Sequence, residues 1–434
     1  MSARKNVLVV AYYWPPSGGA GVQRWLKLSK ELSRLGHEVH VLTVRTEDAH
    51  YPHRDDTLVA DVASGIHVHR TSAFNPIAWG KRLLGVHANQ VASSDLNSKQ
   101  SRRAGIAMRI RSRLFVPDPR KGWNRSAIRK GREIIAEAGI DVIITTSPPH
   151  STHLIGLALK QEFGVQWFAD FRDPWTDVFY YEQLQHSSRS ARRDARYERT
   201  VMEAADRLIV VHDRYREKLE AKYPDFVPGK IHYLPNGYDA DDFAQPLQPG
   251  DSPFFEIVYT GIMAEGYEPE VVAKAWVKQP LEQQARLTVV GTAPEEVLAA
   301  FRAVGMEVQC LGMQPHHVAN AWQQRADLLL CLIPAIPGAD LAHVPGKIFE
   351  YLAVGKPILN IGPPTGETAA IVDRCGAGIT CDRCDVARVQ AFYERVASGQ
   401  FTIRAAGREA AAQYARHEQA KRLHRWIEGQ PSAD

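Results

Sequence analysis

The segment Tyr12-Tyr13-Trp14-Pro15-Pro16-Ser17-Gly18-Gly19-Ala20-Gly21 sets three glycines between an apolar run and a stretch with helical spacing. Glycines there let backbone N–H groups approach a phosphate, and the helix N-terminus behind them adds positive potential. The Gly-Lys-Ser/Thr ending of a nucleoside-triphosphate loop is missing, and too many non-glycine residues precede Gly18 for the tight turn of a dinucleotide fingerprint. A turn-rich surface loop is the competing reading. A second group, His343-Val344-Pro345-Gly346-Lys347-Ile348-Phe349-Glu350, opens a helix with Pro345 and Gly346 at its start and puts Lys347 and Glu350 three apart on one face. A lysine at a helix N-terminus suits a diphosphate, and a carboxylate one turn later can accept two hydrogen bonds from a ribose. An exposed Lys–Glu pair, worth at most about 0.5 kcal/mol, is the alternative. A third group, Asp170, Arg172 and Asp173, follows a strand end. Asp173 has the chemistry to position or deprotonate a hydroxyl; in the other reading the three brace their own loop as an ion pair and caps.

The elements that must position these groups alternate strand and helix. Val7 to Ala11 is an apolar run, Val22 to Gly36 has helical periodicity, and Glu38 to Val44 is a Val- and Leu-rich strand. The alternation resumes with strand Asp141–Thr146, helix Thr152–Phe163, strand Gln166–Asp170, a charged helix from Arg189 to Ala205 and strand Arg207–Val211. A second series runs through strand Glu256–Tyr259, helix Pro269–Lys278, strand Arg286–Val290, helix Pro294–Val304 and strand Val308–Leu311. Helix His316–Gln324, strand Leu328–Leu332, helix Gly346–Val354 and strand Pro357–Ile361 complete it. Two consecutive α/β units with parallel sheets are expected, with ligands at the carboxyl ends of the strands. The expected boundaries are 1–222 for the first unit, with a basic insertion at about 75–130, and 254–402 for the second. Between them lies a Pro-, Gly- and Asp-rich linker at 223–253, and a final helix within 403–434, roughly Ile403 to Ile427, packs back across the domains.

The chain is long enough for two or three domains, and its 44 % hydrophobic and 24 % charged composition excludes disorder as a global description. The net charge of +4 does not demand nucleic acid. Between Lys81 and Arg132, however, about fourteen Lys or Arg stand against two Asp. Here Met108, Ile110, Leu114, Phe115 and Val116 are interleaved with Arg102, Arg103, Arg109, Arg111 and Arg113. That pattern suits peripheral contact with an anionic bilayer, or a solvated insertion; sparse aromatics and the lack of a binding motif speak against nucleic acid. No apolar run is long enough to cross a membrane, and the opening residues read as a first buried strand rather than a signal peptide. The five cysteines, Cys310, Cys331, Cys375, Cys381 and Cys384, fit a reducing, cytoplasmic location better than a secreted disulfide framework. Cys381 and Cys384, with Cys375 nearby, lack the second pair or close histidine of a zinc site, and Asp239-Ala240-Asp241 follows a Pro-Asn-Gly turn rather than marking a metal site.

Five segments in order resemble the family 4 glycosyltransferases of the glycogen-synthase-like superfamily, over nearly the whole chain. They are Ala11-Tyr-Tyr-Trp-Pro-Pro-Ser-Gly-Gly-Ala-Gly-Val-Gln-Arg24, Thr146-Ser-Pro-Pro-His-Ser-Thr-His-Leu-Ile155, Ala169-Asp-Phe-Arg-Asp-Pro-Trp175, Leu234-Pro-Asn-Gly-Tyr-Asp239 and Pro345-Gly-Lys-Ile-Phe-Glu-Tyr351. The resemblance implies a GT-B fold, with two Rossmann-like domains whose parallel sheets face a central cleft. It also implies a UDP-, GDP- or TDP-linked sugar donor, retention at the anomeric carbon and no required metal or other cofactor. Gly18, Gly19 and Gly21 match the glycine loop beside the diphosphate and the transferred sugar, and Glu350 matches the second of the family's paired glutamates. His150 and His153 stand where the family places a histidine at the transferred sugar; as ordinary turn and helix residues they need no such role. Two positions depart from the pattern. Ala342 replaces the first glutamate, and the arginine and lysine expected after Gly261 are absent, with Ile262 in the arginine's place and no lysine before Lys274. Lys347 and Arg172 are the cations expected to substitute at the leaving diphosphate. The implied activity is transfer of a sugar to a hydroxyl of a glycan or lipid-linked acceptor in bacterial-type cell-surface polysaccharide synthesis. A nucleotide-sugar epimerase and a non-catalytic nucleotide-sugar-binding subunit remain as alternatives.

Overall fold

The computed structural model describes residues 4–49, 51, 54–74, 115–243, 252–264, 266–276, 284–336 and 340–430. The chain forms two compact units, Met1–Pro235 together with Ala420–Asp434, and Asn236–Gln419. In the first unit the elements are β1 (Asn6–Val10), α1 (Ala20–Arg34), β2 (Glu38–Val44), β3 (Ile66–Thr71), α2 (Asn124–Ala138), β4 (Val142–Ser147) and α3 (Ser151–Phe163). They continue with β5 (Gln166–Phe171), α4 (Ser188–Ala204), β6 (Arg207–Val210), α5 (Asp213–Lys222) and β7 (Ile231–Tyr233). The strands pair in parallel in the order β3-β2-β1-β4-β5-β6-β7. Val7 faces Val39 on one side and Val142 on the other, so the strand order reverses between β1 and β4. In open α/β sheets the crevice at such a reversal is where ligands bind.

Each central strand is apolar on both faces because helices cover both. Leu8, Val10, Leu42 and Ile143 pack with Ile134, Ile155 and Leu159 of α2 and α3. Val7, Val9, Val39 and Ile144 pack on the opposite side with Trp25, Leu28 and Leu32 of α1 and with Leu423 and Trp426 near the end of the chain. Helix α1 starts at Gly19, whose φ of 103° only glycine adopts readily.

The second unit contains β8 (Phe255–Ile262), α6 (Glu270–Trp276), β9 (Ala285–Thr292), α7 (Glu295–Ala303), β10 (Glu307–Cys310), α8 (His316–Arg325) and β11 (Leu328–Leu332). After these come α9 (Lys347–Val354), β12 (Ile358–Ile361), α10 (Glu367–Arg374), β13 (Gly378–Cys381), α11 (Val386–Ala397) and α12 (Ala405–Ala412). Its sheet is also parallel, in the order β10-β9-β8-β11-β12-β13, and reverses between β8 and β11. A last helix, α13 (Arg416–Ile427), contains the junction at which the chain passes from the second unit to the first.

Three stretches differ from the sequence expectation. The stretch expected as linker contains β7, a strand of three residues that is too short to show periodicity and is identified by its pairing with β6. The single long final helix is two helices. Between them Tyr238 bonds across to the chain, its N–H donating to the Tyr414 carbonyl at 3.1 Å and its carbonyl accepting from the Arg416 N–H at 2.8 Å. The C-terminal part of the basic stretch is the regular helix α2, whereas residues 81–114, with Arg102, Arg103, Met108, Arg109, Ile110, Arg111, Arg113 and Leu114, lie outside the described residues. Among the described residues no helix is long and apolar enough to cross a membrane. All five cysteines are free thiols. The Asp239 carboxylate accepts the backbone N–H of Asp241 at 3.2 Å, the bond of an Asx turn.

Candidate functional site

In the first unit the loops after β1, β4 and β5 carry the sequence-marked residues. The loop after β1 is packed rather than splayed on the surface, since Trp14 and Ser17 are buried; Gly18 is half-buried and Gly19 exposed. Gly21 is required by a neighbour. A Cβ at this position would lie 1.5 Å from Nη1 of Arg172, whose guanidinium lies against the first turn of α1. Arg172 donates from Nη2 to the Pro148 carbonyl at 2.9 Å, which ties the loop after β5 to the loop after β4. Its Nε is buried and has no hydrogen-bond partner among the described residues.

The neighbouring carboxylates have separate environments. Asp170 is fully buried and takes two bonds from Arg24, at 2.7 and 3.2 Å, one from Trp25 Nε1 at 2.7 Å and one from Thr146 Oγ1 at 2.8 Å. It fastens α1 to β4 and β5 and does not face solvent. Asp173 reaches solvent, and its carboxyl is held above the usual range by the desolvating protein around it, partly countered by the Arg172 charge.

The two histidines also separate. His150 is half-buried, stacks flat on Trp175 at 4.9 Å, and is pushed down to about 3 by burial and then by the Arg172 charge, so it is neutral at ordinary pH. His153 has no solvent exposure. Its Nδ1 is 2.7 Å from Thr145 Oγ1 and its ring packs on Phe171 at 4.3 Å, which is the environment of a core histidine and not of a group touching substrate. On α3 His153 shares the buried face with Gly156 at i+3, and a one-turn motif does not reveal that orientation. Trp175, the platform under His150, is held by Nε1 donating to Asp194 at 2.8 Å.

In the second unit Gly261, the last residue but one of β8, has φ of 105° and lies beside Gly291 of β9, where a Cβ would be 1.9 Å from the Gly261 carbonyl oxygen. The ammonium of Lys347, at the start of α9, sits 3.6 Å from the centre of the Tyr259 ring, and a Cβ at Gly261 would be 3.4 Å from that nitrogen. Lys347 is therefore not one half of an exposed pair with Glu350. Burial pushes its pKa down to about 8, offset in part by Cys331 and Glu350. Glu350 has two partners that sequence reading missed: His316 Nε2 at 3.0 Å from Oε1, and Gln323 Nε2 donating to Oε2 at 2.9 Å. Both come from α8, seven residues apart on one helix face, and only the packing of α8 beside α9 brings them to Glu350. At the departures from the family pattern, Ile262 is 58 % exposed and Ala342 lies in a short 3₁₀ turn, Asp340–Ala342.

Each unit is thus a parallel sheet with cations and glycines at the carboxyl ends of the strands flanking its reversal point, an arrangement that suits phosphorylated ligands. Residues 18–237 match the glycosyl transferase 4-like domain. The chain belongs to that family and is a glycosyltransferase with two Rossmann-like α/β domains. Among solved structures, a sucrose-phosphate synthase from Thermosynechococcus elongatus is 16 % identical with a TM-score of 0.61, covering 98 % of this chain and 99 % of that one. A glycosyltransferase from Rickettsia africae is 14 % identical with a TM-score of 0.62, covering 98 % of each chain. The Anabaena protein HepE, solved in complex with UDP, is 12 % identical with a TM-score of 0.60, covering 98 % of this chain and all of that one. No curated protein matches the chain.

Proposed function

We propose that the protein transfers a sugar from a nucleoside-diphosphate donor to a hydroxyl of a glycan or lipid-linked acceptor, with retention, in bacterial-type cell-surface polysaccharide synthesis. The observation that carries the donor half is the Lys347 ammonium, which has an aromatic ring but, among the described residues, no carboxylate bonded to it, and stands at a helix start beside Gly261. A diphosphate supplies the missing counter-charge, and Glu350, fixed by His316 and Gln323, keeps unused lone pairs for ribose hydroxyls. The complexes of HepE with UDP support a uridine nucleotide as the first donor to try.

In the first unit, Gly18, Gly19 and Gly21 leave the start of α1 open to phosphate oxygens, and Arg172 stabilises the charge that develops as the diphosphate departs. Asp173 accepts the acceptor's proton, a task its raised proton affinity suits, and neutral His150 hydrogen-bonds the transferred sugar. The acceptor then attacks on the face the nucleotide leaves. His153 has no part in this scheme.

The test is a panel of UDP-, GDP-, TDP- and CMP-sugars incubated with the purified protein, following nucleotide release and epimeric products. Release from one donor that falls tenfold or more in Glu350→Ala and Lys347→Ala is the expected result. Epimer formation without release would establish the epimerase instead, and wild-type kinetics in both variants would remove these residues from the site.

A further inference from the structure

A second unsatisfied cation lies in the first unit, on a turn that the sequence motifs pass over. The chain enters α2 through a 3₁₀ turn, Pro119–Trp123, that is fastened at both ends. At its start the Asp118 carboxylate accepts from the Ser151 N–H and hydroxyl, both at 2.8 Å, and from the Arg120 N–H at 2.9 Å. At its end Trp123 donates to Thr71 Oγ1 at 2.8 Å and meets the Tyr12 ring edge-on at 5.6 Å. The turn is therefore a rigid platform beside the loops after β1 and β4, and it presents Arg120. That guanidinium lies close enough to the Tyr13 hydroxyl for its charge to be felt there, but it is ion-paired with no described residue, and its Nε is buried without a partner. The nearest acid, Asp118, already takes three hydrogen bonds on its two oxygens. Tyr13 also feels the charge of Arg172, whose own Nε is likewise unpartnered.

We infer that Arg120 and Tyr13 form an oxyanion subsite for the acceptor, so that the accepted molecule carries a phosphate or carboxylate group besides the hydroxyl that is glycosylated. A guanidinium with no carboxylate paired to it among the described residues gains from an oxyanion, and its planar fork is matched by the two oxygens of such a group. A phenolic hydroxyl beside the guanidinium adds a neutral donor that binds an oxyanion without opposing charge. The inference deepens the transferase reading and rests on it for its biological role, but its measurement does not depend on turnover.

Inorganic phosphate is the probe, followed by phosphorus NMR line broadening. Because Lys347 offers phosphate a second site, the titration is run on Lys347→Ala and on Lys347→Ala combined with Arg120→Gln. The expected result is that Lys347→Ala retains a class of bound phosphate and that adding Arg120→Gln weakens it by about tenfold, whereas Arg129→Gln, an exposed arginine on α2, leaves it intact. Arg120→Lys, which keeps the charge and loses the fork, falls between and shows that the loss is not misfolding. Retention in the Arg120→Gln double variant, or no phosphate bound once Lys347 is gone, overturns the proposal. Glycerol phosphate, glucuronate and glucose, competed at constant ionic strength, then separate a phosphate-bearing from a carboxylate-bearing acceptor. Competition by either anion or both supports the subsite; competition by neither, or by glucose as well as by them, overturns it. A donor panel that releases no nucleotide would sink the transferase reading and leave this result standing.

Discussion

The strand ends of the two units use polar residues in opposite ways. In the first unit they bind one another: Asp170 takes four hydrogen bonds and is closed off from water, His153 is in the core, and Trp175 is pinned by Asp194. In the second the central cation rests on a ring, and the central carboxylate is bonded to an imidazole and an amide. A fully paired set of charges resists exchange with a ligand, whereas a cation without a bonded carboxylate gains from one. Asp170, His153 and Trp175 of the first unit therefore hold its loops in place, whereas Lys347 and Glu350 of the second are placed to bind. Substitutions should separate the two behaviours.

The largest effect belongs to Asp170→Ala. It leaves the Arg24 guanidinium buried without its counter-ion and removes the acceptor of Trp25 and Thr146, so about 3–5 kcal/mol of stability should be lost, read as a lowered midpoint in chemical denaturation. A variant as stable as the wild type would mean that water or a shifted neighbour replaces the carboxylate. Lys347→Ala should show the reverse pattern. Nucleotide affinity, measured by titration calorimetry, should fall tenfold or more while the thermal midpoint holds or rises, because a desolvated ammonium has been removed. A large drop in midpoint with unchanged affinity would make Lys347 structural and erase the contrast.

Between these lies Gly21→Ala. The new Cβ meets a guanidinium at 1.5 Å, and that guanidinium is the end of a flexible side chain, so it moves rather than unfolding α1. Sugar transfer should fall about five- to tenfold with stability nearly unchanged. Equal loss in an Arg172→Ala background would show that Gly21 acts by some route other than seating Arg172.

What could be read from the sequence follows from how local each feature is. The central strands β1, β4, β5, β8 and β11 announce themselves as apolar runs because both faces are covered, and their helices by period. Strand β3, Ile66-His-Val-His-Arg-Thr, does not, since it lies at the sheet edge with polar side chains. Gly19 was legible as a glycine with work to do, but the reason for Gly21 was not: its partner Arg172 is far along the chain. The same holds for His316 and Gln323 on Glu350, and for Arg120, whose importance depends on Asp118 being engaged by Ser151. Spacing within a helix can show that Lys347 and Glu350 share a face, yet it cannot show that Tyr259 intervenes with a ring under the lysine.

The smallest effect is one of pH, and it tests that ring-seated lysine without altering the chain. Burial lowers the Lys347 pKa to about 8, whereas a bound diphosphate would raise it, so binding takes up a proton once the pH exceeds about 8. Affinity for the nucleotide should be nearly level below neutrality and weaken about fourfold between roughly pH 7 and 8.5, with Lys347→Arg losing the slope because an arginine stays charged. A slope that persists in Lys347→Arg would assign it to another group. Stability carries the opposite sign. Between about pH 8 and the ordinary lysine value of 10.5 the unfolded chain holds more protons at this residue than the folded one, so the contribution of Lys347 to stability rises with pH across the window in which its hold on phosphate declines.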